Sequence, residues 1–312
     1  LAAAAEVAAA LGLVHHGITF TVEEGLAALP EVIYHLETFD ATTLRAGVPM
    51  FLLGRYLRQQ GVKMVLSGEG SDEMFAGYLY FHRAPSAQAL YEETVAKLEQ
   101  LHLYDCLRAN KAMAAHSIET RVPFLDPQVV QWAMSIHPRH KLVSAARPLE
   151  KHLLREAFAE ILPGKWAWRR KEQFSDGVGQ GWIAALQTHA ETAVTDSQLR
   201  QAGQVYPLKT PRTKEQLLYR QLFAMHFPNE DTARGVPFED SVACSTATAA
   251  TWDPHFVLDP SGRSVAPNML GVTNEVRAVP TRKGPAVRPA AGAAAHRSRS
   301  RASSAKKVRG KT

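Results

Sequence analysis

The chain has 312 residues, 46% of them hydrophobic, which is enough for one large domain or two small ones with a packed core. Stretches of about 18 apolar residues are absent, so no membrane-spanning helix is expected, and the Ala-rich start lacks the basic region of a signal peptide. Residues 261–312 hold twelve of the 36 Lys and Arg but one of the 30 Asp and Glu, so the net charge of +6 arises in this tail. Residues 1–260 are mildly acidic.

The first part of the chain alternates helical and extended patterns, and the order helix, strand, helix, helix, strand predicts an α/β layer with parallel strands. Thr21 and Glu24 form the sequence of a capping box. The predicted elements are a helix over Leu1–Leu11, a strand over Leu13–Phe20, a helix from Thr21 to about Leu36 broken at Pro30, a helix over Val48–Gln60 with Gly61 past its end, and a buried strand over Val62–Leu66.

After Phe81 the pattern becomes mostly helical. Asp126 followed by Pro127 predicts a helix start, and Thr213 with Gln216 predicts another cap. Further helices are predicted from Ser86 to about His116 and over residues 148–162. From about Pro260 the chain is rich in Pro, Gly, Ala, Ser and Arg, and we expect residues 261–312 to be disordered.

The turn SGEGSDE at residues 67–73 follows the strand Val62–Leu66 and precedes a helical stretch. Small residues at such a turn let backbone N–H groups approach a phosphate. Three carboxylates there would repel a polyphosphate unless a divalent cation lies between them or one of them does proton chemistry. The turn therefore suggests a nucleotide with Mg²⁺ and a general base, and a solvated acidic turn is an equally good interpretation of this stretch alone.

A resemblance to a known family rests on three segments that follow one another along the chain in this order: SGEGSDEMFAGYLYFHRAP, YDCLRANKAMAAHSIETRVPFLD and WRRKEQFSDGVGQGWI. With LETFDATTLRAGVPM and DSVACSTATAATWD, they resemble the synthetase domain of the glutamine-dependent asparagine synthetases of bacteria and plants, over roughly residues 1–263. The resemblance implies a parallel-sheet nucleotide-binding layer of the ATP pyrophosphatase-like, HUP type, with a large helical portion. It implies synthesis of L-asparagine from L-aspartate, ATP and glutamine-derived ammonia through β-aspartyl-AMP.

The resemblance also implies roles for residues of the turn. Ser67 and Gly68 match positions whose backbone touches ATP. Glu69 matches the carboxylate that deprotonates the attacking ammonia, which becomes cationic as its nitrogen bonds to carbon. Asp72 matches a ligand of Mg²⁺ and pyrophosphate, in keeping with the preference of Mg²⁺ for carboxylate oxygens.

Lys171 matches the lysine that neutralises the β-phosphate and the leaving pyrophosphate. Arg45, with Thr42 and Thr43 beside it, matches an arginine near the phosphates. We interpret Trp166, Trp168 and Phe174 as packing around the loop that presents Lys171.

Asp105 and Arg108 match positions implicated in holding the substrate aspartate, where arginine suits a carboxylate because its planar fork bonds bidentately. Without the resemblance, Arg108 and Lys111 would be interpreted as a solvated helix face.

Other conspicuous residues are interpreted as structural. The pair His15–His16 lies in a predicted strand, where adjacent side chains point to opposite faces, so a shared ligand is not expected. Glu119, Arg121 and Asp126 are interpreted as an ion pair and a helix cap.

The sequence departs from the family in several places. The N-terminal cysteine nucleophile, the glutaminase domain and the first phosphate loop, Ser-Gly-Gly-x-Asp-Ser, are not found in it. Because the first residue is Leu, we expect a fragment or a processed product, N-terminally truncated, with residues 1–260 as its synthetase domain. We expect these 312 residues alone to bind ATP poorly and to turn over slowly or not at all.

Two other functions remain open. A β-lactam synthetase-like enzyme would adenylate a carboxylate and use an internal amine, and a remnant without catalysis would bind a partner or nucleic acid through the tail. We regard nucleic-acid binding as the weaker alternative. Two distant cysteines, Cys106 and Cys244, with no metal-ligand spacing fit a reducing compartment, and we expect the cytosol. A homodimer is possible.

Overall fold

The structure, a computed structural model, describes residues 1–162, 164–169, 181–238 and 247–252. Within these residues the elements are α1 (Ala2–Ala10), α2 (Val22–Leu36), α3 (Ala41–Gln59), β1 (Met64–Leu66), α4 (Ser71–Met74), α5 (Ala87–Gln100), α6 (Asp105–Ala114), β2 (Glu119–Arg121), α7 (Pro127–Ser135), α8 (His152–Ala157), α9 (Gly164–Ala167), α10 (Trp182–Ala193), α11 (Asp196–Val205), α12 (Lys214–His226) and α13 (Ala247–Ala250). None of the helices described here is long and apolar enough to cross a membrane.

Residues 13–20 have no regular secondary structure, so the strand predicted over Leu13–Phe20 is wrong. The side chains of Leu13 and Val14 are 61% and 85% exposed, so the apolar residues of this segment are not buried against a sheet. Alternating sequence forms a strand only when a neighbouring strand accepts its hydrogen bonds. The argument that His15 and His16 point to opposite faces of a strand therefore does not apply.

The predicted capping box at α2 is confirmed, because the Thr21 amide donates to Glu24 Oε2 at 2.7 Å and the Glu24 amide donates to Thr21 Oγ1 at 3.1 Å. The predicted break at Pro30 is wrong, since the helix runs through it to Leu36. Proline in a helix interior costs roughly 3 kcal/mol. Val32 and Ile33 are fully buried beside it, and each such side chain contributes about 1.5–3 kcal/mol.

The main hydrophobic core lies between α2, α3 and α12, and residues of α6 and α10 also contribute to it. Asp40 begins α3 by accepting the Thr43 amide at 2.7 Å. Side chains that are almost completely buried in this core include Leu29, Val32, Ile33, Leu36, Phe39, Leu44, Val48, Phe51, Tyr219 and Phe223.

Within the described residues, β1 and β2 form a two-stranded parallel sheet in which Met64 pairs with Glu119 and Leu66 with Arg121. The sheet is parallel, as predicted, but β1 pairs with β2 and not with the strand predicted over Leu13–Phe20. The sequence did not predict β2, because a three-residue strand with charged ends has no apolar alternation. The predicted ion pair is confirmed, with Arg121 Nε 2.8 Å from Glu119 Oε1.

Two of the long predicted helices are shorter in the structure. The one predicted from Ser86 to about His116 is interrupted by a 3₁₀ turn at Leu101–Leu103, which separates α5 from α6. The helix predicted over residues 148–162 is only α8, His152–Ala157. Its start is delayed because Lys151 has the left-handed φ of 52°, which a right-handed helix cannot include.

The two predicted caps of the second half hold. Asp126 Oδ1 accepts the Gln128 amide at 2.9 Å, and Thr213 Oγ1 accepts the Gln216 amide at 3.2 Å. The Gln216 side chain accepts from the Arg212 amide instead of completing a capping box.

Candidate active site

A cleft of about 620 Å³ opens beside the end of β1, between α3 and α6. Both carry polar residues to its wall, and α3 adds an apolar side formed by Met50, Leu53 and Leu57. The cleft brings together most of the site residues that the sequence predicts: Thr42, Ser67, Gly68, Glu69, Asp72, Asp105 and Arg108.

The turn after β1 presents Glu69 at this cleft. The Ser67 amide donates to the Arg121 carbonyl at 2.8 Å, which extends the parallel pairing one residue beyond the strand. Gly70 has φ of 93°, and a Cβ there would lie 2.4 Å from Leu125 Cδ2. Glycine at position 70 therefore lets the turn close tightly and leaves Glu69 half-buried at the edge of the cleft.

Asp72, at the start of α4, pairs with a lysine that the sequence did not indicate. Lys151 Nζ lies 3.0 Å from Asp72 Oδ2 and donates to Ser71 Oγ at 3.2 Å. Gly77 makes this approach possible, because a Cβ there would lie 2.5 Å from Lys151 Cε and 2.1 Å from Asp72 Oδ1. The cleft thus holds an acid and a cation side by side.

Asp105 and Arg108 lie one helical turn apart on α6, are both buried and form an ion pair. Asp105 Oδ1 accepts from Arg108 Nη2, whereas the buried Asp105 Oδ2 has no hydrogen-bond partner among the described residues. A buried acceptor without a partner carries a desolvation cost that a donor from a ligand would remove.

Glu73 follows Asp72 on α4, is 1% exposed, and accepts a hydrogen bond from Tyr78. Burial and the nearby charge of Asp105 raise the pKa of Glu73 to about 7, against the hydrogen bond from Tyr78, which lowers it. Burial and the charges of Glu69 and Asp105 likewise raise the pKa of Cys106 to about 11. The Cys106 thiol therefore stays protonated at neutral pH and is a poor nucleophile.

Three of the predicted site residues do not line the cleft of the described residues. Arg45 makes a bidentate pair with Glu215 of α12, with Nε 2.9 Å from Oε1 and Nη2 2.6 Å from Oε2. The Thr43 side chain is buried in the first turn of α3. Lys171 lies outside the described residues, as does Phe174.

The tryptophans of the segment before Lys171 pack as side chains of the surrounding structure. Trp166 Nε1 donates to Glu6 Oε2 of α1 at 3.2 Å, and the Trp168 ring lies 5.2 Å from the ring of His152. These contacts agree with a packing role for both residues.

The charges of the cleft favour a ligand that brings its own cation. Three carboxylates, Glu69, Asp72 and Asp105, line it together with two cations, Arg108 and Lys151. Within the described ranges no group of three or more His, Cys, Asp or Glu side chains is arranged to hold a metal by itself. A Mg²⁺ ion does not need one, since it usually keeps several waters and uses one or two carboxylates with phosphate oxygens.

Sequence reasoning missed Lys151, Tyr78 and the apolar wall. In the sequence, Lys151 stands in a helical pattern where a lysine is normally solvated, and no local signal shows that its backbone leaves the helix. Apolar residues of α3, such as Met50 and Leu57, follow a helical period that predicts only a buried face.

Comparisons with known proteins relate this chain to one family. The sequence profile of the family described as Asparagine synthase matches residues 1–95 and 84–253. Asparagine synthetase B [glutamine-hydrolyzing] of Escherichia coli is 55% identical over 267 residues, which cover 85% of this chain and 48% of that protein.

Plant proteins match at similar levels. Asparagine synthetase [glutamine-hydrolyzing] of Triphysaria versicolor is 52% identical over 85% of this chain and 46% of its own length. Asparagine synthetase [glutamine-hydrolyzing] 2 of Oryza sativa is 51% identical over 92% of this chain and 49% of its own length. The chain spans about half the length of the curated relatives it matches.

Proposed function

Because the chain belongs to the asparagine synthase family, we propose that its cleft is the synthetase site of an ATP-dependent ligase that makes L-asparagine from L-aspartate and ammonia. The observation that carries the proposal is the meeting of Glu69, the Asp72–Lys151 pair and the Asp105–Arg108 pair around one cavity. The reaction needs a general base, groups that bind phosphate, and a polar binding site for an amino acid.

The first step forms a mixed anhydride. An oxygen of the aspartate β-carboxylate attacks the α-phosphorus of ATP, and the bond from that phosphorus to the β-phosphate oxygen breaks to release pyrophosphate. Negative charge grows on the departing oxygens, so cations beside them act mainly in the transition state. We assign this part to Lys151 and, from the resemblance, to Lys171, with Ser67 and Gly68 offering backbone contacts to the nucleotide.

The second step forms the amide. Ammonia attacks the carbonyl carbon of β-aspartyl-AMP, and the carbon–oxygen bond to AMP breaks. The attacking nitrogen becomes cationic and must lose a proton, which the Glu69 carboxylate accepts. Glu69 suits this task because it lies half-buried at the edge of the cleft, where the charge of a developing ammonium is stabilised.

Substrate aspartate needs groups for its α-ammonium and α-carboxylate. The Asp105 oxygen that lacks a partner among the described residues suits the ammonium, and the Arg108 guanidinium suits a carboxylate through its planar fork. Thr42 lines the same wall and adds a hydroxyl.

The cofactors ATP and Mg²⁺ fit the residues present. Asp72 with the Ser71 hydroxyl offers the hard oxygen donors that Mg²⁺ prefers, and Asp72 would hold the ion together with phosphate oxygens. When bound, Mg²⁺ neutralises phosphate charge that the acidic cleft would otherwise repel. The apolar wall of Met50, Leu53 and Leu57 offers a packing surface for the adenine ring of ATP.

Other parts of the assignment concern the whole protein. We propose that glutamine supplies the ammonia, because the relatives are named as glutamine-hydrolyzing. We also propose that β1 and β2 belong to a layer of the ATP pyrophosphatase type, that residues 1–260 form the domain, and that residues 261–312 are an appended tail. A cytosolic location remains our expectation.

The test follows an oxygen atom. The longest natural chain containing these 312 residues is incubated with ATP, ammonium and aspartate labelled with ¹⁸O in its β-carboxylate. We expect asparagine together with AMP that carries one ¹⁸O, because the attacking oxygen stays on phosphorus when AMP leaves. Unlabelled AMP, or ADP as product, would contradict the adenylate route, and replacing aspartate by β-amino acid derivatives tests the β-lactam synthetase alternative.

The same assay compares the activity of residues 1–312 with that of the longer natural chain. Residues 1–312 alone are expected to show little or no turnover, because the first phosphate loop of the family is not found in them. Rapid asparagine formation by these residues would overturn that expectation and leave the assignment of the cleft intact.

A further inference from the structure

Arg155 makes three hydrogen bonds that join two parts of the site. Its Nε donates to the Glu150 carbonyl at 2.8 Å, its Nη2 to Glu150 Oε1 at 2.6 Å and its Nη1 to the Ala167 carbonyl at 2.6 Å. Such a fork of donors is available to arginine and to no other side chain.

Glu150 is a buried carboxylate whose two oxygens are both used. Its Oε1 accepts from Arg155, and its Oε2 lies 3.1 Å from His82 Nε2, while the side chain is 1% exposed. Burial would raise the pKa of Glu150, but the hydrogen bond from His82 and the charge of Arg155 outweigh it and lower the pKa. The pair Arg155–Glu150 is therefore ionised and fixed, and we call it the Glu150 clamp.

The Glu150 clamp fixes the backbone next to Lys151, because Glu150 directly precedes Lys151 in the chain. Arg155 binds both the carbonyl and the carboxylate of Glu150, so the backbone leading into Lys151 is fixed from two sides. Lys151 itself has the strained left-handed φ of 52°, which surrounding contacts must maintain. This conformation directs its side chain across to Asp72 and Ser71 instead of along α8.

We infer that Arg155 is a positioning residue of the synthetase site, which acts through Glu150 to hold Lys151 at the phosphate edge of the cleft. The inference rests on the proposed function for its chemical meaning. Arg155 is not among the residues that line the cleft, so its effect on a ligand must be indirect. Its third hydrogen bond, to Ala167, joins the same clamp to the segment that precedes Lys171.

The first test needs no substrate. The full-length protein receives a brief pulse of acetic anhydride, and mass spectrometry measures the acetylation rate of Lys151, which is now held against Asp72. Arg155→Met is expected to raise that rate at least about threefold by releasing Lys151 from its carboxylate and hydroxyl partners. Arg200→Met, which removes an exposed arginine on α11, is the matched control and should leave the rate unchanged.

The second test is a double-mutant cycle on pyrophosphate affinity in the presence of Mg²⁺. Arg155→Met and Lys151→Met are each expected to weaken binding about tenfold, as loss of one charge-assisted contact does. The double variant should bind no more weakly than Lys151→Met. Arg155→Lys keeps the positive charge but lacks the planar fork that reaches three acceptors at once, so it should show an intermediate affinity.

Different failures have different meanings. Additive losses in the cycle, or Lys151 acetylation that is unchanged while the protein is destabilised, would show that Arg155 is structural only and would overturn the inference. If the wild-type protein binds no pyrophosphate, the proposed function fails, and the acetylation test still decides the positioning. If Arg155→Met does not fold, the double variant Arg155→Met with Glu150→Gln takes its place in both tests, because the second substitution removes the uncompensated buried charge.

Discussion

Two arginine–carboxylate pairs, one with a partly buried arginine in the helical core and one buried in the cleft, differ in how completely their carboxylate oxygens are used. In the core, Arg45 and Glu215 share two hydrogen bonds, and Tyr219 donates a third to Glu215 at 3.1 Å. In the cleft, Arg108 engages one oxygen of Asp105 and leaves the other without a partner among the described residues.

The difference separates structure from function. A pair whose donors and acceptors are satisfied gains little from a ligand, while removal of one member leaves a buried charge. A buried carboxylate with an open oxygen is destabilising in the empty protein and becomes favourable when a donor binds. We therefore expect substitutions in the core to reduce stability, and substitutions in the cleft to reduce activity while the fold persists.

The largest effect on activity is expected for Glu69→Gln in the full-length protein. The amide cannot accept a proton from the attacking ammonia, and loss of general-base catalysis typically lowers a rate by about 10²–10⁴-fold. Ammonia-dependent asparagine formation measures the loss, and aspartate-dependent exchange of pyrophosphate into ATP should persist because the first step does not need this base.

The control for that substitution is Glu31→Gln, which makes the same chemical change at an exposed residue paired with Arg55. It should leave both reactions unchanged. A full rate of asparagine formation with Glu69→Gln would show that Glu69 is not the general base of the cleft.

The largest effect on stability is expected for Arg45→Met, which leaves Glu215 buried without its cation. Breaking a buried pair costs about 3–5 kcal/mol of unfolding free energy, and Arg45→Met with Glu215→Met should recover most of it. Urea unfolding of the two variants and the wild type measures both changes.

Activity of the refolded double variant decides between two roles for Arg45. The resemblance predicts a catalytic role near the phosphates, whereas the pair with Glu215 and the position outside the cleft lining favour a structural one. We expect synthetase activity to return with the fold. A stable double variant that forms no asparagine would support the catalytic role.

The fold illustrates what local sequence can and cannot predict. Caps such as Thr21 and Asp126 were predictable because the bonds lie within three residues of each other. The strand expected at Leu13–Phe20 and the break expected at Pro30 failed because both depend on distant partners: a neighbouring strand in the first case and the packing of α2 in the second.

The candidate site shows the same limit. Glu69 and Asp72 could be found because they lie together on one glycine-rich turn, and Asp105 and Arg108 because a family pattern marks them. Lys151 meets Asp72 across 78 intervening residues of chain, through a single left-handed backbone conformation that no periodicity or motif predicts.

Glu73 offers a pH test at the boundary between core and cleft. Its carboxyl has a pKa of about 7 in the folded chain and an ordinary value of 4.5, so between these values the folded chain keeps a proton that the unfolded chain has lost. The contribution of Glu73 is therefore full below about pH 4.5 and is lost as the pH rises through about 7, a change of about 3 kcal/mol.

Urea unfolding at about pH 5 and about pH 8 measures this change. Glu73→Gln should remove that part of the pH dependence, because the amide stays neutral and still accepts from Tyr78. Glu99→Gln, the same change at an exposed residue of α5, should keep it. An unaltered slope in Glu73→Gln would mean that the carboxyl is ionised in the folded protein at neutral pH.

The smallest effect is expected for Asp105→Asn, which tests whether the open oxygen of Asp105 binds the substrate aspartate. The amide keeps the size of the side chain but loses the charge that an α-ammonium would seek, so KM for aspartate should rise about 10- to 100-fold with little change in kcat. Asp196→Asn, at an exposed residue paired with Lys214, should leave KM unchanged. If KM for ATP rose instead while KM for aspartate stayed the same, the open oxygen of Asp105 would bind the nucleotide, and the proposed positions of aspartate and ATP in the cleft would have to be exchanged.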